Sequence, residues 1–205
     1  MNKSEKFWNR VSNSFDKHNK KTIQAHIKTV GIIKKYLHDN DIVLDLGCAT
    51  GAISNDIAGH VKEVHGIDIS SKMIEIAKRN ADERKIENVN FAQSSIFEEK
   101  LKKESFNVIL AYNVLHLVED TQKVLQRINE LLKPGGQIIS STACLGEKTL
   151  LGKFFIFLSK IGIVPNIKPF KISELEDLIT ENFQINEAKT FSDNPPNYFC
   201  VATKV

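Results

Sequence analysis

Between Val43 and Gly51 the chain reads Val-Leu-Asp-Leu-Gly-Cys-Ala-Thr-Gly, an apolar run that ends in small residues. Small side chains where a strand hands over to a helix let a ligand come close to the main chain, so the backbone becomes a binding surface. Asp68 closes the next apolar run, about 20 residues beyond the turn, where an acid can reach the two hydroxyls of a ribose. A glycine turn with Ala49 in one of its glycine positions can be purely structural. Its pairing with Asp68 is what points to a nucleoside ligand. A dinucleotide does not fit, because Gly47 and Gly51 stand four apart and the G-x-G-x-x-G spacing is absent. Asp45 would repel a pyrophosphate and suits a cationic ligand.

These residues need strands and helices in alternation to hold them, and the chain supplies that alternation from Asp41 onward. Ile42 to Leu46 predicts a first strand, Gly47 to Gly51 a turn and Ala52 to Gly59 a helix. Glu63 to Asp68 predicts a second strand, with Ser70 or Ser71 capping a helix that carries Met73, Ile74, Ile76 and Ala77. Val89 to Gln93 is a third strand, and Phe106 to Ala111 a fourth that is buried on both faces. Thr121 to Leu132 has apolar residues at helical spacing and is stopped by Lys133-Pro134-Gly135-Gly136, after which Gln137 to Thr142 is the fifth strand. An apolar helix follows near Leu150 to Ile161, then one capped by Ser173 with Glu176 at the capping-box position. Phe183 to Thr190 and Tyr198 to Lys204 read as a closing pair of strands. The segment before Asp41 reads as one or two helices over the sheet.

At 205 residues the chain suits one domain, 1–205, with a helical cover at 1–40. Gly146 to Phe170 interrupts the alternation and is the expected substrate-side insertion. With 41% hydrophobic and 26% charged residues the composition is globular, and a net charge of +3 gives no nucleic-acid footprint. Cys48, Cys144 and Cys200 have neither disulfide nor zinc spacing, which points to a reducing, cytoplasmic setting. Cys48 reads as a small buried residue rather than a nucleophile. His18, His26, His38, His60 and His65 share no ligand spacing, so no metal is expected. Residues 1–21 lack the apolar stretch of a secretory signal, and Leu150 to Pro165 falls short of a membrane span.

Five motifs in order resemble the class I S-adenosylmethionine-dependent methyltransferases, in particular the small-molecule, quinone-biosynthesis-like (methyltransferase type 11) group. They are VLDLGCATG at Val43 to Gly51, HGIDIS at His65 to Ser70, FAQSSIF at Phe91 to Phe97, FNVILAYNVLHLVED at Phe106 to Asp120 and LLKPGGQIIS at Leu131 to Ser140. The resemblance implies an α/β, Rossmann-like fold: a seven-stranded, mostly parallel sheet with an antiparallel last strand and helices on both faces. It implies that Asp45 and the backbone of Gly47, Cys48, Ala49 and Gly51 hold the methionine part of the cofactor. Asp68 would accept both ribose hydroxyls, and Ile69 and Met73 would pack on adenine. Ser95 stands where the family often has an acid for the adenine amino group, so that contact is weakened or passes to backbone groups of Ile96. Asn107, also in place of a frequent acid, is expected to be structural. Phe7, Trp8 and Phe15 match a helix that covers the cofactor in relatives, and simple packing of that helix is the other reading.

The implied activity is transfer of a methyl group from S-adenosylmethionine to a small, apolar acceptor, with S-adenosylhomocysteine as product. Displacement at a sulfonium asks the protein mainly for proximity and alignment. If the nucleophile needs a base, His116 is the candidate, and a hydrogen-bonded wall residue is its other reading. Tyr112 and Asn113 would border the same space, and Phe154 and Phe155 the acceptor. Leu150, Leu151, Phe154, Phe155, Phe157, Leu158 and Ile161 form an apolar arc that fits lid packing, a wall for an apolar substrate, or a membrane-surface or partner contact. Asn194-Pro195-Pro196-Asn197-Tyr198-Phe199 mimics the base-gripping signature of DNA methyltransferases, but it precedes the last strand and reads as a turn. A non-catalytic S-adenosylmethionine-binding module acting through a partner is the alternative function.

Overall fold

The computed structural model describes residues 3–16, 20–147, 150–161, 163–165, 167–193 and 195–205. His18, Asn194 and the side chains of Leu150 and Leu151 lie outside the described residues. The chain forms two compact units, Met1–Ser95 and Ile96–Val205.

In the first unit, α1 (Lys3–Phe15) and α2 (Lys20–Ile33) fill the segment before Asp41 that reads as one or two helices. The strands β1 (Ile42–Leu46), β2 (Glu63–Asp68) and β3 (Val89–Gln93) have the bounds the apolar runs predict. All three are parallel, with Val43 beside Val64 and Ile67 beside Ala92. Parallel neighbours need long crossovers. These are α3 (Ala52–Ile57), prolonged by a tight turn at Ala58–His60, and α4 (Ser71–Glu83). Helix α4 starts where Ser70 Oγ accepts the Met73 N–H at 3.1 Å. Its stripe of Ile74, Ala77 and Ala81 packs with Cys48 and Phe91 in one buried cluster. Asp56 on α3 joins α2 to the end of α4, 2.7 Å from His26 Nε2 and 2.7 Å from Arg84 Nη1. Burial pushes the Asp56 carboxyl up, but these two partners outweigh it and hold it below its ordinary range.

The second unit is built on β4 (Phe106–Tyr112), α5 (Thr121–Leu131), β5 (Leu132–Ala143), α6 (Leu150–Lys160), α7 (Ile172–Thr180), β6 (Phe183–Asp193) and β7 (Pro196–Lys204). Ile109, Leu110 and Ala111 are each 0% exposed, so β4 is buried on both faces as three consecutive apolar residues require. Strand β5 begins earlier than the sequence predicts. Leu132 pairs with Phe106, the register jumps, and Gln137 pairs with Val108. The residues between form a bulge in which Gly135 takes φ +73° and where proline's missing N–H is tolerated. The breakers thus end α5 and distort the strand from inside.

Helix α7 also starts differently from the expectation at Ser173. Lys171 is the N-cap, and Glu174 rather than Glu176 accepts its N–H, at 3.0 Å. Glu176 instead accepts the Tyr198 hydroxyl at 2.7 Å. Strand β7 is antiparallel to both β5 and β6. The strand order is β3-β2-β1-β4-β5-β7-β6, a seven-stranded sheet with its last strand inverted, as the resemblance implies.

The stretch 146–170 leaves and returns through a narrow neck. Gly146 donates its N–H to the Phe170 carbonyl at 2.9 Å, and a Cβ on Gly146 would stand 2.1 Å from the Pro169 carbonyl oxygen. Just outside the neck, Ile172 donates to Glu147 Oε1 at 3.1 Å.

Candidate active site

The turn after β1 is wound tightly enough to need left-handed backbone three times: Gly47 at φ +72°, Ala49 at +49° and Gly51 at +77°. Glycine takes this conformation freely, whereas Ala49 does so at a cost of about 1 kcal/mol that the surroundings must offset. The Ala49 N–H donates to Asp68 Oδ2 at 3.1 Å, which holds it there. Gly51 has a second reason to be glycine: a Cβ would lie 2.6 Å from Phe91 Cζ.

The turn's donors are spent inward. Gly47 and Cys48 both donate to the Ile67 carbonyl, at 2.8 and 3.1 Å, Gly51 donates to the Cys48 carbonyl at 2.9 Å, and Ala49 donates to Asp68. A phosphate-binding turn presents a cluster of N–H groups to its ligand. This turn commits them to the protein instead, so it suits a ligand with cationic rather than phosphate character.

Asp68, at the end of β2, accepts the N–H groups of Ala49 and, at 2.8 Å, Ser70. Burial pushes its carboxyl up from 3.8, and those backbone hydrogen bonds oppose the rise. Each carboxylate oxygen has further lone-pair capacity, so the acid can still accept two hydroxyls. Asp45 is 3% exposed and accepts the Ser54 hydroxyl at 2.6 Å. Burial raises its pKa to about 6, opposed by the Ser54 hydrogen bond and assisted by the negative charge of Asp68. Cys48 belongs to the buried cluster and its thiol is pushed well up by burial, which leaves it inert as a nucleophile. Met73 is buried at 1% exposure, Ile69 is half-buried and Ser95 exposed.

Helix α1 is fastened to this site by polar contacts that the sequence does not advertise. Asn9 Oδ1 accepts from the Ser70 hydroxyl at 2.6 Å and from the Lys72 N–H at 3.2 Å, at the start of α4. Glu5 accepts from Gln93 at the end of β3, and Asp16 accepts from the Thr50 hydroxyl in the turn, at 3.1 and 2.8 Å. The helix therefore reaches the loops after β1, β2 and β3. Phe7, Trp8 and Phe15 stack edge to face along it, with centroids 5.1 and 6.3 Å apart.

In the second unit the Ile96 carbonyl accepts Arg127 Nε at 3.3 Å, and Asn107 accepts Lys133 Nζ at 2.9 Å, the structural role expected of it. Asn113 sits at φ +53°, its N–H on the Ser141 carbonyl at 2.7 Å. Asn197 Nδ2 donates to Asn113 Oδ1 at 3.3 Å while its own Oδ1 accepts the Ser141 hydroxyl. Pro195 is in the turn, but Pro196 and Asn197 already open β7, two residues earlier than the sequence predicts, and Asn197 also holds the loop after β4. His116 on that loop is 8% exposed, its Nδ1 has no partner, and burial lowers its pKa to about 4. The imidazole is neutral at pH 7 and a weak base. Phe154 is 54% exposed and Phe155 half-buried, with ring centroids 6.0 Å apart.

Residues 37–190 match the methyltransferase domain family. Ubiquinone biosynthesis O-methyltransferase of Coxiella burnetii is 33% identical over 121 residues, 56% of this chain and 50% of that protein. Its Rickettsia typhi counterpart is 31% identical over 175 residues, 80% of this chain and 70% of the other. The N-methyltransferase NodS of Bradyrhizobium japonicum, solved with S-adenosylhomocysteine, superposes with a TM-score of 0.76 at 17% identity, covering 99% of both chains. The chain spans about half the length of the first of these curated relatives. The chain belongs to the methyltransferase domain family, and within it to the class I S-adenosylmethionine-dependent methyltransferases.

Proposed function

We propose that the chain transfers the methyl group of S-adenosylmethionine to a small, apolar acceptor by in-line displacement. The observation that carries this reading is the turn after β1, whose N–H groups are committed to Ile67, Asp68 and Cys48. Such a turn is poor for a phosphate and good for a ligand carrying a sulfonium and an ammonium. The residues also fit the nucleoside end: Asp68, which already accepts the Ala49 and Ser70 N–H groups, has capacity for two hydroxyls.

When bound, S-adenosylmethionine supplies an electrophilic methyl group and its own leaving group, so the protein's contribution is alignment and exclusion of water. Asp68 binds the ribose, the Gly47 to Gly51 main chain and the buried charge of Asp45 face the methionine part, and Ile69 covers adenine. Met73 supports that surface from within the core. Ser95 and backbone groups of Ile96 border the adenine edge. Asn113 and Tyr112 border the reacting methyl group, and Asn197 holds Asn113 in place. His116, neutral and short of a hydrogen-bond partner, lines the acceptor space with Phe155 and orients the nucleophile rather than deprotonating it. The named activity of the relatives, O-methylation in ubiquinone biosynthesis, supports a small acceptor with an apolar body.

The test is calorimetric titration with S-adenosylmethionine and with NAD, followed by transfer of labelled methyl to a panel of small phenols and other apolar acceptors. Binding of S-adenosylmethionine alone, with label in one acceptor class, is expected. Binding without transfer to any acceptor would favour a non-catalytic module acting through a partner, and failure to bind would overturn the reading.

A further inference from the structure

We propose that the furrow between α2 and the end of α4 docks an acidic amphipathic helix of a partner protein. This goes beyond methyl transfer and does not depend on it. Ile23, Ile27 and Gly31 follow one another at i, i+4 and i+8, so they share one face of α2. Ile23 is 47% exposed and Ile27 63%. At Gly31 the face is open, since a Cβ there would meet nothing within 4 Å. Two branched side chains beside a bare glycine make an apolar strip with a notch in it.

The notch is one end of the furrow. Ile27, Val30 and Gly31 line a hollow of about 390 Å³ together with Lys34, Asp56 and Arg84. Asp56 and Arg84 also line a second hollow, of about 580 Å³, that includes His60, Lys85 and Asn88. The two adjoin across a single ion pair. Asp56 lies 2.7 Å from Arg84 Nη1 and 2.7 Å from His26 Nε2, which ties α2, α3 and the end of α4 together. The furrow is therefore formed before anything enters it, and an occupant has little ordering to drive.

Charge complementarity selects the occupant. Residues 1–40 contain nine lysines and arginines against three acids, whereas the rest of the chain has nineteen against twenty-two. Between Asp16 and Asp39 there are six lysines and no acidic residue. Lys28 and Lys35 are exposed beside the apolar strip, and Lys34 lines the first hollow. An acidic amphipathic helix meets both features, with apolar anchors at i, i+3, i+4 and i+7 for the strip and its notch, and carboxylates for the lysines around them. A nucleic acid would satisfy the lysines but set its phosphates against Ile23 and Ile27, and α2 has no Phe, Tyr or Trp on which a base could stack. A second copy presenting the same face would bring like charges together. A flat bilayer surface has nothing to enter the furrow.

The experiment is fluorescence anisotropy of a labelled, designed helical peptide, with leucines at i, i+3, i+4 and i+7 and glutamates elsewhere, titrated with the full chain at low and high salt. Binding that salt weakens is expected. Peptides with serines in place of the leucines, or lysines in place of the glutamates, should bind at least about tenfold less tightly. Ile27→Glu should lower affinity for the acidic peptide about tenfold and Lys34→Glu about fivefold, while both variants keep cooperative unfolding near the wild-type temperature, which reports an intact fold. No binding by the wild type, equal binding of the serine peptide, or unchanged binding by Ile27→Glu would overturn the proposal. If duplex DNA or phosphatidylglycerol vesicles bind this face in place of the peptide, or the chain self-associates and Ile27→Glu abolishes that association, the occupant is another and the proposal falls.

Discussion

Replacing Asp68 with alanine is the most direct probe of how this chain holds a nucleoside. In the protein alone the carboxylate accepts the N–H groups of Ala49 and Ser70. With a ribose bound it would also accept two hydroxyls, each hydrogen bond to a charged acceptor contributing about 1.5 kcal/mol at the low end. Loss of the ligand bonds alone therefore weakens S-adenosylhomocysteine binding by about 3 kcal/mol, on the order of a hundredfold in Kd. Asp68→Ala also frees the Ala49 amide, whose left-handed backbone the acid restrains, so some of the loss could arise in the protein. Changing the ligand separates the two effects. A 2′-deoxy analogue of S-adenosylhomocysteine should bind wild type about tenfold less tightly than the parent, yet bind Asp68→Ala with the same affinity as the parent does. Calorimetry of the two ligands against the two proteins gives the coupling directly. Equal penalties for the deoxy ligand in both proteins would refute the ribose assignment, however large the effect of the mutation itself.

Two further outcomes follow from groups close by. Asp45 holds its proton up to about pH 6 in the folded protein, against an ordinary value of 3.8, because burial disfavours its charge. The folded state therefore binds more protons than the unfolded state between those values, and stability falls as pH rises through that window, by about 3 kcal/mol for the shift at roughly 1.4 kcal/mol per unit. Asp45→Asn should be more stable than wild type at pH 7 and no more stable at pH 4 in urea denaturation, while binding S-adenosylmethionine less well; equal stability at pH 7 would contradict the burial cost. Asn9→Ala removes the acceptor for Ser70 and Lys72, so α1 should loosen from the start of α4. Hydrogen exchange in residues 3–15 should speed up and cofactor dissociation should accelerate about tenfold, and unchanged exchange would show that aromatic packing alone holds the helix.

Much of the scaffold can be read from the sequence because its strands are short, buried and strongly apolar. β1, β2 and β3 begin and end where Ile42 to Leu46, Glu63 to Asp68 and Val89 to Gln93 predict. The same reasoning fails at β5, where Pro134 and two glycines look like a stop and are in fact a bulge, because register with Phe106 overrides the local preference. It fails again at α7, whose N-cap is a lysine without capping preference, so the signal fell on the nearest serine. In the site, Asp68 and the glycine turn were legible because their spacing is fixed by a βα unit. Asn9, Glu5, Asp16 and Asn197 were not. Each is a polar residue that a periodicity reading assigns to water, and each finds its partner at least 34 positions away in the chain. The burial of His116, with its Nδ1 unpaired, was likewise invisible, since it depends on which segments close over the loop after β4.

The neck at Gly146 and Phe170 has a consequence for how far the segment it closes can vary. A segment tied at its base, by Gly146 to Phe170, Ile172 to Glu147 and Lys168 to the His116 carbonyl, does not thread the sheet, so its length and composition between those ties are loosely constrained by β5 and α7. Sequence drift or deliberate grafting between residues 146 and 170 can replace the segment wholesale, provided a glycine remains at the junction where a Cβ would strike Pro169. The strands on either side would then stay in place while the cassette between them is exchanged, much as a tool head is swapped on an unaltered handle.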